Sequence, residues 1–256
     1  QGTITYANGN MYEGEFQDGL QHGSGRYETT DGYVYEGTWD KGKIQGQGKA
    51  SYQDGSVYNG DFVEGKPNGI GTITFIDKGT YSGQWKAGLF HGNGEITYSN
   101  GDLFIGQFQQ GLKNGVGELI TASGYSYRGD WKNDLKTGAA SIDYSDGANY
   151  TGSVRDGIHE GKGKFSAPDG LTIEGFWRAG EINGDVVVTQ SNGDIFEGKM
   201  FKGKREGSGT VKYASGEVYT GEFKNDMRHG FGSFDGLNGH SYVGDWYEGR
   251  MEGSGT

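Results

Sequence analysis

A 23-residue period runs through this chain without an insertion or deletion, and no other feature restricts its fold so tightly. Its lead positions are Tyr12, Tyr35, Tyr58, Tyr81, Phe104, Tyr127, Tyr150, Ile173, Phe196, Tyr219 and Tyr242. Two residues after every lead stands a glycine, from Gly14 to Gly244, and two further on a large apolar residue such as Phe16, Trp39, Phe62 or Trp85. Another glycine follows eleven residues after each lead, from Gly23 to Gly253. A further glycine usually lies two along, as Gly48 does after Gly46, and Asn-Gly, Asp-Gly or Ser-Gly closes most units.

Within a unit the apolar period is two. Tyr58, Gly60 and Phe62 alternate with Asn59 and Asp61, and Gly94, Ile96 and Tyr98 alternate with Glu95 and Thr97. This reads as two short half-buried strands per unit, and no helical stripe competes with it. A three-residue loop at Ser99-Asn100-Gly101, with Gly101 left-handed, pairs Tyr98 with Asp102 and gathers Tyr98 and Phe104 on one face. The other connection, Gly111 to Gly115, reads as a longer loop. It would set Phe104 opposite Thr121, Gly106 opposite Leu119 and Phe108 opposite Gly117, so that each ring meets a glycine or a mid-sized partner. The expected fold is all-β: one elongated, twisted antiparallel sheet of consecutive β-hairpin repeats. At about 4.8 Å between strands it would run on the order of 100 Å, each hairpin depending on its neighbours.

The pattern Tyr35-Glu36-Gly37-Thr38-Trp39, followed by Gly42, Gly46 and Gly48, resembles the MORN repeat family over essentially the whole chain, 1–256. The resemblance implies an extended sheet acting in binding and assembly, with Tyr35, Gly37, Trp39, Gly46 and Gly48 as structural core. Relatives that are mostly repeat look like scaffolds of the membrane–cytoskeleton boundary or of ciliary axonemes. Others carry the array beside a catalytic domain, as in plant phosphoinositide kinases. The sequence starts and stops in the same phase of the repeat, which reads as a fragment of a longer array. The N-terminal strand and Tyr242 to Trp246 would be open edges able to pair with a second chain, giving a dimer through an end of the array.

Composition narrows the functional classes. Glycine supplies 53 residues, beside 17 Tyr, 13 Phe and 5 Trp, a combination that disordered linkers lack. There is no cysteine, no stretch of 18 apolar residues and no signal-peptide pattern, so the expectation is a cytoplasmic protein, neither secreted nor transmembrane. A net charge of −11 disfavours nucleic acid. Gly37-x4-Gly42-Lys43, Gly60-x4-Gly65-Lys66 and Gly198-x4-Gly203-Lys204 mimic a phosphate-binding loop. They are followed by Ile44, Pro67 and Arg205 where a Ser or Thr would bind magnesium. His22, His91 and His229 share a position with Gln45, Asn68, Asn114 and Asn183, which reads as loop hydrogen bonding and not as metal ligation. Glu13, Glu36, Asp61 and Glu222 fall on the alternating polar face, where they read as solvated. No catalytic residue, metal ligand or cofactor is therefore assigned, and the chain is expected not to be an enzyme.

Departures from the repeat are where function is sought. Ile105 and Ile120 fall on the polar face and, in the expected register, sit opposite each other; Phe176 and Val187 repeat that relation. Such pairs mark either a contact patch or a core loosened to take them in. From Asp134 to Met200 the pattern is least regular: Ala140 and Val186 replace glycines, Ile173 replaces a lead tyrosine, and a local bend near 170–190 is expected. Lys199, Lys202, Lys204, Arg205 and Lys212, joined by Lys162 and Lys164, form the one basic cluster, the best site for an acidic partner or, weakly, an anionic lipid. The function this supports is a self-associating, protein-binding scaffold linked to cytoskeletal or membrane–cytoskeleton structures, with lipid targeting or a regulatory array of a larger enzyme as alternatives.

Overall fold

The computed structural model describes residues 1–256, the side chain of Asn238 excepted. The strands in chain order are β1 (Gly2–Thr5), β2 (Met11–Gln17), β3 (Leu20–Glu28), β4 (Val34–Asp40), β5 (Lys43–Ser51), β6 (Val57–Val63), β7 (Lys66–Thr74) and β8 (Thr80–Lys86). They continue as β9 (Leu89–Thr97), β10 (Leu103–Gln109), β11 (Leu112–Ile120), β12 (Ser126–Lys132), β13 (Leu135–Asp143), β14 (Asn149–Arg155), β15 (Ile158–Ser166) and β16 (Thr172–Arg178). The last are β17 (Glu181–Thr189), β18 (Ile195–Phe201), β19 (Lys204–Lys212), β20 (Val218–Lys224), β21 (Met227–Asp235), β22 (Ser241–Tyr247) and β23 (Arg250–Gly255). All 23 belong to one open antiparallel sheet of consecutive hairpins. Two compact units divide it: Gln1–Ala122 with Trp131–Asp134, and Ser123–Asp130 with Leu135–Thr256.

Each repeat from β2 to β21 begins on a seven-residue strand and returns on a nine-residue one, and the extra length is absorbed by a bulge. The three-residue loop forms as expected: Tyr98 N donates to Asp102 O at 2.8 Å and Gly101 N to Tyr98 O at 3.0 Å, with Gly101 at φ 87°. The other connection differs from expectation. It is a two-residue turn, Gln110-Gly111, with φ of 52° and 85° and Gln109 paired to Leu112. Positive φ at both central residues matches the twist of the strands it joins. The register therefore moves: Phe104 pairs with Leu119, Gly106 with Gly117 and Phe108 with Lys113, and the bulge lies between Gly106 and Phe108. Gly115 sits in that bulge at φ 108°, so the glycine eleven residues after each lead is a backbone requirement.

The two central glycines face each other because a ring lies across both of them. A Cβ on Gly94 would stand 2.5 Å from Tyr81 Cε2 and 2.6 Å from its hydroxyl; one on Gly83 would stand 2.5 Å from Gly94 Cα and 2.8 Å from that hydroxyl. With the space clear, the lead tyrosine folds back and donates to the carbonyl three residues on. Tyr12, Tyr58, Tyr81, Tyr150 and Tyr219 do so to Glu15, Asp61, Gln84, Ser153 and Glu222 at 2.6–3.0 Å. These tyrosines are fully buried. Tyr12, Tyr58, Tyr81 and Tyr219 are each flanked edge-on by the ring of their own repeat and that of the next, as Tyr58 is by Phe62 at 5.0 Å and Trp85 at 5.0 Å. Trp85 Nε1 in turn donates to Gly71 O at 3.0 Å, tying neighbouring hairpins together. The expected glycine–ring pairing does occur, but with the preceding strand: Phe108 faces Gly92 and Trp85 faces Gly69.

Other expectations change with the register. Ile105 pairs with Glu95 and Glu118, and Ile120 with Leu103, so the two isoleucines are not opposite each other. Val187 pairs with Glu174 and Phe176 with Lys162. Val186 faces Gly175 and Gly198, and Trp177 faces Ile182 and Gly161. Val186 fits because Ile173 puts no ring over it and Gly175, and Ile182 is buried beside Gly175 instead. The stretch Tyr242 to Trp246 is not an edge: β23 pairs with β22 along it.

Candidate functional site

Opposite the aromatic face, each unit carries a groove. In the first unit it spans about 550 Å³ over β4 to β7, lined by Glu36, Gln47, Lys49, Asn59, Ile70 and Thr72. In the second it is larger, about 1410 Å³ over β14 to β20. Strand alternation supplies its lining, because the residues between core positions point to this face. The exposed apolar lining is Phe176 on β16 and Val187 on β17, 48% and 41% exposed. Around them stand Lys162 and Lys164 on β15, Glu174, Asp185, and Glu197 and Lys199 on β18.

Of the candidate contact residues, then, Phe176, Val187 and Lys199 come together with Lys162 and Lys164. The rest of the basic cluster disperses. Lys202 is in the turn after β18, at φ 49°, and Lys204 pairs with Phe201 across that turn. Arg205 lies over the Phe196 and Phe223 rings at 5.7 and 5.1 Å and donates to Asp226 O at 2.6 Å, a packing role. Lys212 pairs with Ile195 and Val218 and does not line the groove. Ile105 and Ile120 are 46% and 40% exposed on the polar face of the first unit.

Sequence reasoning missed the work done by the residue three after each lead. In several repeats its side chain takes up the N–H of the bulge, whether the lead is a tyrosine or, as at Phe104, has no hydroxyl. Asp61 accepts from Ile70 N at 2.9 Å, Gln84 from Asn93 N at 2.9 Å, Gln107 from Val116 N at 3.1 Å and Asp130 from Ala139 N at 3.3 Å. Asp61 is therefore no idle surface charge. The shared His, Asn and Gln position also has a role: Gln45 and Asn68 accept from Glu64 N and Ala87 N in the next repeat's turn. His159 is stacked on Tyr150 at 3.6 Å with Nε2 at 2.7 Å from the Tyr144 hydroxyl, and burial pushes its pKa down.

The three P-loop mimics are strand–turn–strand segments, with Gly42, Gly65 and Gly203 at positive φ in the turns. Among the described residues no three His, Asp or Glu side chains gather as a metal-binding group. Among the described residues no helix is long and apolar enough to cross a membrane.

The MORN repeat model matches this chain at residues 12–32, 35–57, 58–80, 81–103, 104–124, 127–148, 150–172, 196–218, 219–241 and 242–256. The chain belongs to the MORN repeat family. Residues 173–195, the unit led by Ile173, fall outside the ten matches of this MORN array, yet they still form the hairpin β16–β17. Phosphatidylinositol 4-phosphate 5-kinase 1 of Oryza sativa subsp. japonica is 48% identical over 44 residues, 17% of this chain and 6% of that protein. Among solved structures, the TCP10 domain of Danio rerio CPAP is 15% identical with a TM-score of 0.44, over 78% of this chain and 96% of that one. The TCP10c domain of Drosophila melanogaster Sas-4 is 12% identical with a TM-score of 0.33, over 77% and 98%.

Proposed function

We propose that this MORN array is a non-catalytic scaffold, one that self-associates and holds protein partners on its polar face at cytoskeletal or membrane–cytoskeleton structures. One observation carries the reading. Three residues after Ile173 and Phe196, where other repeats carry a bulge acceptor such as Asp61 or Gln107, stand Phe176 and Lys199, in the larger of the two grooves. Neither side chain is needed by the sheet, and paired apolar exposure in a groove favours contact with another macromolecule. The repeat glycines and aromatics, by contrast, are all spent on packing, which leaves no constellation suited to bond-making.

Lipid targeting draws less support. Groove lysines Lys162, Lys164 and Lys199 are outnumbered by Glu174, Asp185, Glu197 and Glu222, and the other basic residues lie elsewhere. Flotation with anionic vesicles at physiological salt is expected to match the neutral-lipid control. A role as the regulatory array of a larger enzyme fits the kinase match only through the repeat itself. Self-association is tested by light scattering over a wide concentration range, with a dimer or larger species expected. A strict monomer at the highest concentration would remove that part of the reading.

A further inference from the structure

We infer that the β14–β20 groove is a recognition site for an extended segment of another protein carrying an acidic, a large apolar and a basic residue at alternate positions. This rests on the scaffold reading above and names the chemistry of its partner.

The first step is the freedom of the site. In six repeats the side chain three after the lead hydrogen-bonds within its own bulge, through Glu15, Thr38, Asp61, Gln84, Gln107 and Asp130. The bond does not depend on a hydroxyl at the lead, because Gln107 makes it in the repeat led by Phe104. In the repeats led by Ile173 and Phe196 this position holds Phe176 and Lys199, neither of which can accept from the bulge N–H. The hairpins β16–β17 and β18–β19 form all the same, so the sheet does without the bulge bond at these two positions.

The second step is charge. Lys164 and Glu174 close on each other at 3.5 Å. Lys162 and Glu197 take part in no ion pair among the described residues. Lys162 is the cross-strand neighbour of Phe176, and Glu197 that of Val187. The apolar pair on β16 and β17 thus has an uncompensated cation on β15 and an uncompensated anion on β18. A membrane surface or a nucleic acid presents one sign of charge and meets repulsion at one end; a polypeptide can present both. Three strand spacings of about 4.8 Å separate β15 from β18, about 14 Å, which four residues of extended chain span at about 3.4 Å each. Side chains at alternate positions of such a chain share one side. An acid–x–apolar–x–base segment therefore sets its carboxylate by Lys162, its apolar residue on Phe176 and Val187, and its base by Glu197.

The test uses the full chain and three fluorescent heptapeptides built on serine: Glu-Ser-Phe-Ser-Lys, Glu-Ser-Phe-Ser-Glu and Lys-Ser-Phe-Ser-Lys, each with a terminal serine at both ends. Polarisation titrations should rank the mixed-charge peptide tightest by about threefold or more, as expected of exposed ion pairs. Lys162→Glu should move the preference to the doubly basic peptide and Glu197→Lys to the doubly acidic one. Phe176→Ser, at a half-exposed position, should weaken all three by about tenfold while leaving the circular dichroism spectrum unchanged. Equal binding of the three peptides, no binding of any, or a preference that the charge variants do not move would overturn the inference. Loss of self-association in Phe176→Ser would overturn it too, by assigning the groove to a second copy. Light scattering of the unmodified chain reports separately on the scaffold reading, so either can fail alone.

Discussion

Gly94→Val places a branched side chain where the Tyr81 ring already lies. Even a bare Cβ would stand 2.5–2.7 Å from Tyr81 Cε2, hydroxyl and Cζ. The backbone at Gly94 is not left-handed, so the cost is steric and not conformational. Overpacking of this kind costs about 1–3 kcal/mol. Displacing the ring also breaks the hydroxyl's 2.6 Å bond to Gln84 O, about 1 kcal/mol more. The sum, about 2–4 kcal/mol, should appear as a lower urea midpoint in tryptophan emission, with Trp85 5.2 Å from Tyr81 as the local reporter. Tyr81→Ile alone removes the same bond and the ring contacts, and should cost about 2–4 kcal/mol. The double variant recreates the pair that Ile173 and Val186 already form. Its cost should fall short of the sum of the singles by about 1–2 kcal/mol, because with the ring gone the valine has nothing to strike. Strict additivity, or a neutral Gly94→Val, would refute the account of why the glycines are there. Ala140 sets the scale of tolerance: a Cβ on Gly129 would be 3.0 Å from Ala140 Cα where other repeats show about 2.5 Å. The strands have moved apart just enough for a methyl group, not for a valine.

Asp61→Ala should cost about 1 kcal/mol by leaving Ile70 N without its 2.9 Å acceptor, and Asp61→Asn should recover most of it in the same urea assay. Ala87→Asn, at φ 52° in a two-residue turn, should raise stability by a few tenths to about 1 kcal/mol, since asparagine accepts the left-handed region more readily. Alkali should unfold the array. Burial pushes Tyr35, Tyr81, Tyr127, Tyr150 and Tyr219 up to about 12 from 10.0. The neutral phenols favour the folded chain below pH 10, and that stability is lost as pH rises toward 12. Tyrosinate absorbance and circular dichroism should therefore change together in that window; smooth titration near pH 10 with the sheet intact would contradict it.

Much of the fold was determined by the sequence alone. An unbroken 23-residue period, two-residue alternation and Ser99-Asn100-Gly101 suffice for a meander of hairpins, because each of those features acts on its immediate neighbours. The other half of each hairpin was not legible. Its turn places a non-glycine, Gln110, at positive φ, and its bulge hides the extra residues that move Gly106 from Leu119 to Gly117. Only the folded chain shows that one ring covers two glycines, since Tyr81, Gly83 and Gly94 meet across a strand pair whose register the bulge sets. The same holds for function. Phe176 and Val187 stood out as exposed apolar residues, but Lys162 and Glu197 acquire meaning only beside them. Those four come from four separate strands, and sequence proximity could not assemble them. The period decided what the chain is built from; the register, fixed by packing of rings on glycines, decided which side chains share a groove.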